Sequence, residues 1–317
     1  MRTLNIVNKS NRIKGSKNPL FADYWQLYVM CFIPMLFTFV FSYLPMGGII
    51  VAFKNYTYAD GIFGSEWCGF KNFEFFLKSS DFLNVTWNTL YMNVIFIFFG
   101  TVSALTVAIL LYMISSRKAT KVFQTLLITP HFLSWVVVAY MLYAIINPEF
   151  GLLNTFREKM GLEVIDYYSK PGVWPYILTI ANVWKGVGMD SVIYYAALMG
   201  ISQDLFEAAD IDGASTWNKI RYIIMPELKT LIVMLIILKI GHILRADFGL
   251  FYQLPQDVGA LYSTTDVLDT YIFRTMRVLG NMGMSSAAGL LQSAVGFVLV
   301  VCTNAVVKKI DPDSSLF

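Results

Sequence analysis

The sequence predicts an all-α integral membrane protein, a bundle of six transmembrane helices. Its hydrophobic content is 56% and its mean hydropathy is +0.58, whereas soluble domains average about 45–50% apolar residues. Two runs, Tyr24 to Phe53 and Phe82 to Ser116, contain no charged residue. Each run is longer than the about 20 residues that a helix needs to cross a bilayer. The rest of the chain alternates between apolar runs and charged segments, which indicates a multi-pass membrane protein.

The predicted organisation has a basic tail at 1–20, the first transmembrane helix and an external loop at 21–85, a core of five transmembrane helices at 86–309, and a short tail at 310–317. The six helices are expected, in order, at 24–53, 86–114, 122–148, 174–199, 230–245 and 286–307. A cleaved signal peptide is the alternative for the first run, but that run is too long and lacks a small-residue cleavage site. Pro45, Gly47 and Gly48 predict a kink or helix end in the first helix, and Pro130 and His131 interrupt the third.

The distribution of Lys and Arg predicts the orientation of the chain. The tail at 1–20 and the short turn at 115–121 are basic and contain no acidic residue, whereas the basic residues of the longer loops are balanced by acids. Because basic loops favour the cytoplasmic side, we expect both termini in the cytoplasm. The segment Asp204 to Leu228 then also lies on the cytoplasmic side.

That segment is polar and is set between apolar runs. Its pattern predicts two short helices joined at Gly213, where glycine can adopt the left-handed conformation that ends a helix. Asp204 and Glu207 lie near the start of the first helix, where acidic side chains complement the positive end of the helix dipole. Pro226 marks the point where the second helix bends or restarts.

The same segment resembles the EAA loop of permease subunits in bacterial binding-protein-dependent ABC importers. The family pattern is Glu-Ala-Ala, three residues, Gly, nine residues and Ile-x-Leu-Pro, and its matches are Glu207, Ala208, Ala209, Gly213, Ile223, Met225 and Pro226. Met225 replaces the family's Leu, which conserves volume. The resemblance implies that this loop is a cytoplasmic coupling helix that docks into a partner ATPase, with Glu207, Ala208, Ala209, Gly213 and Pro226 as the coupling residues.

Trp67 to Phe73 resembles the external loop after the first span in sugar-importing permeases, and Phe150 to Asn154 resembles an external loop of the family. Three further segments resemble the oligo- and polysaccharide subfamily: Leu244 to Gln253, Thr265 to Arg274 and Ala287 to Ser293. The resemblance implies a subunit in the bacterial cell membrane that imports an oligosaccharide or related sugar delivered by an extracellular substrate-binding protein. It also implies a second homologous permease, with a homodimer as the alternative to a heterodimer, and an ATPase dimer that binds ATP-Mg.

The sequence contains no candidate catalytic or cofactor site. It has no Gly-x-x-x-x-Gly-Lys-Ser/Thr phosphate loop, so ATP hydrolysis is expected in the partner chain. Its two histidines and three cysteines have no metal-ligand or nucleophile spacing, and nothing indicates nucleic-acid binding. We therefore expect no enzyme activity, no metal site and no cofactor bound by this chain, with membrane lipid and the sugar as its ligands.

Ionisable residues within the predicted helices are the candidates for a substrate path. Lys185 and Asp190 lie in the fourth helix, and Lys239, His242 and Arg245 form one slanted stripe on the fifth. Such residues normally face protein or water. For Lys239 and His242 the alternative is a buried contact with Asp190 or a backbone carbonyl.

Two aromatic residues, Trp184 and Tyr194, could stack on sugar rings, although packing is the favoured role. The path candidates are thus Lys185, Asp190, Tyr194, Lys239 and His242. The alternative function is a secondary transporter in which Lys185, Asp190, Lys239 and His242 relay ions or protons. It predicts an internal repeat, and the two halves of the chain show none.

Overall fold

A computed structural model describes residues 24–310 of the chain. The predicted tail at 1–20 and residues 311–317 of the predicted C-terminal tail lie outside the described residues. Within them the chain is almost entirely helical, and the strands are one short antiparallel pair, β1 (Lys54–Asn55) and β2 (Glu66–Trp67). The prediction of an all-α fold is confirmed.

The longer helices are numbered in chain order. They are α1 (Trp25–Thr38), α2 (Lys71–Leu77), α3 (Asp81–Tyr112), α4 (Arg117–Ile128), α5 (Trp135–Ile146), α6 (Leu152–Lys159), α7 (Trp174–Leu198), α8 (Gln203–Ile211), α9 (Met225–Gly241), α10 (Phe248–Gln253), α11 (Leu268–Arg277) and α12 (Met282–Ile310). Single α-helical turns occur at Gly61–Gly64, Thr216–Lys219 and Tyr262–Thr265, and 3-10 turns at Thr129–Phe132, Tyr167–Ser169, Pro171–Val173 and Gly259–Leu261.

The described part of the chain forms two compact units, divided between residues 50 and 51. In the first unit, α1 continues as a π-helical turn at Phe39–Tyr43, and a 3-10 helix then runs from Leu44 to Phe53, past the end of that unit. The predicted irregularity around Pro45 therefore takes the form of a change in helix type. Pro45 lacks the N–H that would continue an α-helical ladder.

The second unit is built on α3 and α7, which pack along much of their length. Helix α12 packs against α2, α9 and α11, and α4 packs against α7. One buried cluster at the end where α7 begins is centred on Trp174, whose indole Nε1 donates to the carbonyl oxygen of Tyr167 at 2.9 Å. A second cluster at the end where α3 and α7 finish contains Tyr194, Leu198 and Ile224.

Three helical segments of the described chain are long and apolar enough to cross a membrane: 25–53, 81–112 and 282–309. A fourth span is obtained if α4 and α5, with the turn between them, are taken as one broken span, whose two parts are bent by 96°. The two remaining predicted spans correspond to α7 and α9. The count of six transmembrane helices stays a prediction.

The predicted end of the fifth helix is wrong. Helix α9 ends at Gly241, so His242 is its C-terminal cap and Arg245 lies in the turn that follows. The amide of Asn93 donates to the carbonyl oxygens of residues 243 and 245 at 2.9 and 3.1 Å, and Gln292 donates to that of Leu244 at 2.5 Å. Side chains from α3 and α12 thus satisfy the carbonyls that a continuing helix would have paired.

Candidate functional site

The break between α4 and α5 creates free backbone groups inside an apolar part of the chain. Residues 129–132 form a 3-10 turn, Leu133 is extended, and Ser134 begins α5 by accepting a hydrogen bond from the Val137 N–H at 3.3 Å. Lys185 of α7 donates from Nζ to the carbonyl oxygen of His131 at 3.0 Å. Irregular backbone within a membrane requires such internal partners, because lipid supplies none.

Trp135 joins this break to the segment after α9. The Lys185 ammonium lies 4.9 Å from the centre of the Trp135 ring, and the indole Nε1 donates to Oδ2 of Asp247 at 2.7 Å. Helix α7 approaches α4 very closely here, so that a Cβ atom at Gly188 would lie only 2.0 Å from the carbonyl oxygen of Leu127. Lys185 of α7 therefore contacts both the 3-10 turn at residues 129–132 and Trp135 of α5.

A cavity of about 410 Å³ lies between α3, α7 and α9. Its lining includes an ion pair between Asp190 and Lys239, whose Oδ2 and Nζ atoms are 2.9 Å apart. The two side chains are 39% and 34% exposed, so the pair faces the cavity. His242 and Arg245 line the same space, and a His242 ring nitrogen lies 3.1 Å from the carbonyl oxygen of Leu238.

The structure brings together three of the five path candidates. Asp190, Lys239 and His242 line the cavity, whereas Lys185 lies at the helix break. Tyr194 is 1% exposed and belongs to an apolar cluster with Ala104 and Leu198. Tyr194 thus has the packing environment that the sequence favoured, and Asp190 is the partner of Lys239 that the alternative interpretation named.

The cavity also contains polar residues that the sequence analysis did not select as candidates. Asn93 and Asn182 line its wall, and Asp247 lies at its edge. For Asn93 and Asn182, an uncharged amide in an apolar run is the signal that could have identified them, because a partly buried amide needs partners. The lining mixes cations, anions and amides, so it can bind the hydroxyl and carboxylate groups of a polar solute.

The Glu-Ala-Ala loop folds as the two predicted short helices. Helix α8 starts at the cap residue Ser202, whose hydroxyl accepts from the Asp204 N–H at 3.3 Å. It ends at Ile211, and Gly213 follows its cap residue with φ +70°. The N–H groups of Gly213 and Ala214 donate to the carbonyls of Asp210 and Ala209 at 3.1 and 2.9 Å. This pair of bonds is a Schellman motif, which ends a helix sharply.

The second helix of the loop runs from Thr216 through a π-helical turn at Ile220–Ile224 into α9, with Pro226 in the first turn of α9. Because the chain is already helical before Pro226, the missing N–H of proline interrupts the hydrogen-bond ladder, and the π-helical turn lies directly before this interruption. An ion pair between Lys219 and Asp210 ties the second helix to α8. The two short helices and the start of α9 are thus linked by side-chain and backbone contacts.

The loop presents an apolar and acidic surface to solvent. Ile211 is 88% exposed and Trp217 is 67% exposed, and Glu207 and Ala208 are exposed beside them. On its other side, Phe206 packs on Tyr112 with ring centres 5.7 Å apart. The loop is therefore anchored to the end of α3 on one side and open on the other, as expected of a surface that docks a partner.

The segment after α9 is held by the buried carboxylate of Asp266 and the partly buried carboxylate of Asp269. Asp269 accepts from the N–H of Ala246 at 2.7 Å and from the amide of Gln292 at 3.1 Å, and Asp266 pairs with the Arg274 guanidinium. Burial raises the pKa of the Asp269 carboxyl, although its two hydrogen-bond donors oppose the shift. These contacts fix the turn that carries Arg245 and Asp247 to the cavity.

Apolar helices long enough to cross a membrane, a polar cavity between helices and a polar loop with an exposed surface are the features expected of a membrane transport component. Residues 100–314 match the family described as "binding-protein-dependent transport system inner membrane component". The chain belongs to this family, and it is a multi-pass membrane permease subunit of the ABC importer type. Subunits of this class carry out transport and are not enzymes.

Individual relatives are similar over nearly the whole chain. Protein LplB of Bacillus subtilis (strain 168) is 30% identical over 92% of this chain and 91% of its own length. The polygalacturonan/rhamnogalacturonan transport system permease protein YteP of the same strain is 31% identical over 89% of this chain and 88% of its own. The crystal structure of a bacterial ABC transporter involved in the import of the acidic polysaccharide alginate matches with a TM-score of 0.83 and 30% identity, over 92% of this chain and 98% of the other.

Proposed function

We propose that this subunit imports an oligosaccharide that an extracellular substrate-binding protein delivers. The observation that carries the proposal is the cavity lined by Asp190, Lys239, His242 and Arg245. Its mixed charges and amides suit a substrate rich in hydroxyl groups, and its cationic residues suit sugar carboxylates. The transport system named for polygalacturonan and rhamnogalacturonan, and the transporter of the acidic polysaccharide alginate, support an acidic oligosaccharide.

The energy for transport comes from partner chains. We propose that a dimer of ATPases binds ATP-Mg and docks on the exposed face of α8, through Glu207, Ala208 and Ala209. Gly213 and Pro226 would fix the ends of the docking element, because the first closes α8 and the second lies at the start of α9. A second, homologous permease would supply the other half of the path, with a heterodimer as the expected form.

ATP binding would close the ATPase dimer and move both coupling loops. Since the Schellman motif and the Lys219–Asp210 pair join the loop to α9, displacement of α8 would be transmitted to the helix that carries Lys239. The cavity would then alternate between outward-facing and inward-facing states, a two-state change biased by ligands.

The orientation that fits this mechanism has both termini in the cytoplasm. It places the basic turn at Arg117, Lys118 and Lys121 and the coupling loop on the ATPase side. The loop at 147–173 and the segment at 247–283 then face the binding protein. The position of α8 beside the end of α3, which follows from the Phe206–Tyr112 contact, agrees with this arrangement.

The test is purification of the tagged chain from its native membrane in mild detergent, with mass spectrometry of co-purifying proteins. An ATPase and a second permease are expected with the wild-type chain. Gly213→Pro removes the N–H that donates to Asp210 and cannot adopt φ +70°. The variant is therefore expected to lose the ATPase while it remains in the membrane.

Uptake of a labelled uronic-acid oligosaccharide by cells provides the second readout. It is expected to require ATP and to survive collapse of the proton gradient. A chain that purifies alone and whose uptake stops when the proton gradient collapses would refute the importer mechanism.

A further inference from the structure

A second cavity, of about 1000 Å³, lies where α3 ends, α4 begins and α7 ends, beside the loop that contains α8. It is distinct from the cavity of Asp190 and Lys239, since the two share no lining residue. Phe206 and Lys219 of the coupling loop contribute to its wall, but the proposed transport cycle places no ligand in it.

The charged side chains that line this second cavity are all basic: Arg117, Lys121 and Lys219. Lys219 already pairs with Asp210. Arg117 and Lys121 are exposed, and in the described part of the chain neither forms an ion pair. The cavity therefore has an excess of positive charge with donors available for an anion.

The start of α4 adds to this positive potential. The helix is 12 residues long, begins at Arg117 and has no acidic residue in its first turn. Its cap Ser116 accepts a hydrogen bond from the Ala119 N–H, so the hydroxyl is occupied while the positive end of the helix dipole stays near the cavity. Arg117 and Lys121 are one turn apart and project from the same side of the helix.

The rest of the wall combines apolar side chains with the polar residues Ser115, Thr120, Gln124, Gln203 and Thr216. Met113, Ile114, Met199, Phe206 and Ile224 contribute to it. Helix α3 is one of the segments that can cross a membrane, and it ends at Tyr112. The cavity therefore lies at the level where a membrane helix meets water, with an apolar wall beside a cationic rim. This combination matches an amphiphile that carries phosphate and acyl chains, and basic pockets between membrane helices bind such headgroups.

We propose that this cavity binds the phosphate headgroup of an anionic phospholipid. The phosphate would contact Arg117 and Lys121, the acyl chains would follow the apolar wall, and Lys219 would link the headgroup to the coupling loop. The proposal does not depend on the transported substrate or on docking of the ATPase, so it can fail while the proposed function holds.

The test measures binding of phosphatidylglycerol and phosphatidylcholine to the delipidated full-length chain by native mass spectrometry. Wild-type protein is expected to bind phosphatidylglycerol more tightly than phosphatidylcholine, and the preference should weaken as salt is raised. Each basic residue near an anionic headgroup contributes about fivefold in affinity. Arg117→Gln combined with Lys121→Gln is therefore expected to weaken phosphatidylglycerol binding roughly 30-fold.

Two matched variants control for folding and for non-specific charge. Lys118→Gln removes a neighbouring exposed cation that does not line the cavity, and it is expected to bind like the wild type. Arg117→Lys combined with Lys121→Arg keeps both charges and should retain the preference. Equal binding of the two lipids, or an equal loss in Lys118→Gln, would overturn the proposal. Displacement of the lipid by millimolar inorganic phosphate would assign the site to a soluble anion instead.

Discussion

The ion pair between Asp190 and Lys239 offers a direct test of the cavity. Asp190→Asn or Lys239→Gln leaves the other charge without its partner, 2.9 Å from a neutral side chain. Breaking a fully buried pair costs about 3–5 kcal/mol, whereas exposed pairs contribute about 0.2–1 kcal/mol. Because the two side chains are 39% and 34% exposed, water screens the pair, and we expect each variant to lose about 1–2 kcal/mol of unfolding free energy.

The assay is thermal unfolding of the purified chain in lipid nanodiscs. Each single variant should lower the apparent Tm by about 2–6 °C. The double variant Asp190→Asn with Lys239→Gln should lower it less than the two single losses combined, because the second change removes the unpaired charge. Glu74→Gln, which breaks the exposed Glu74–Lys78 pair, is the control and should leave Tm unchanged. Strictly additive losses in the double variant would refute the reasoning.

Three other features, at Gly213, Lys185 and Asp269, can be tested in the same way. Gly213→Ala, which retains the N–H but strains the backbone at φ +70°, should destabilise the coupling loop by about 1–2 kcal/mol and weaken ATPase retention in pull-downs. The control is Gly289→Ala, at a helical glycine with open space around its Cβ position, which should not weaken ATPase retention. An equal loss of the ATPase in both variants would contradict the role of Gly213. Lys185→Met leaves the His131 carbonyl without its donor and should lower Tm by about 2–6 °C. Lys185→Arg keeps a donor and should lower Tm less. Equal Tm values for these two variants would contradict the role of the donor. Burial raises the folded-state pKa of Asp269 above its ordinary 3.8, so the wild type should gain stability relative to Asp269→Asn as pH falls from neutral towards that value. A Tm difference that does not change with pH would contradict this sign.

Local signals in the sequence predicted the features that depend on local chemistry. Gly213 follows a short amphipathic stretch, and it adopts the left-handed conformation that the segment requires. The charge-free runs at 24–53 and 82–116 correspond to segments that can cross a membrane. At Gly213 the residue type determines the backbone conformation, and in the charge-free runs it determines whether the segment can lie in lipid. No distant contact is needed to predict either feature.

Features that depend on distant contacts were missed or only partly predicted. Pro130 indicated an interruption, and the helices on its two sides are bent by 96°. The carbonyl of His131 at this bend is bound by Lys185, 54 residues further along the chain. The apolar residues after Gly241 continue the helical pattern, so the sequence extended the fifth helix to Arg245. The helix stops earlier because Asn93, 150 residues distant from residue 243, binds the freed carbonyl. No window of local sequence contains these partners.

The contact between Trp135 and Asp247 has a consequence for how the chain is made. The two residues are 112 positions apart, so the break between α4 and α5 leaves the ribosome well before its partner exists. At about 5–20 residues per second, synthesis of the intervening chain takes roughly 6–22 s. The hydrogen bond that joins the break to the segment after α9 can therefore form only once the chain beyond α9 has been translated.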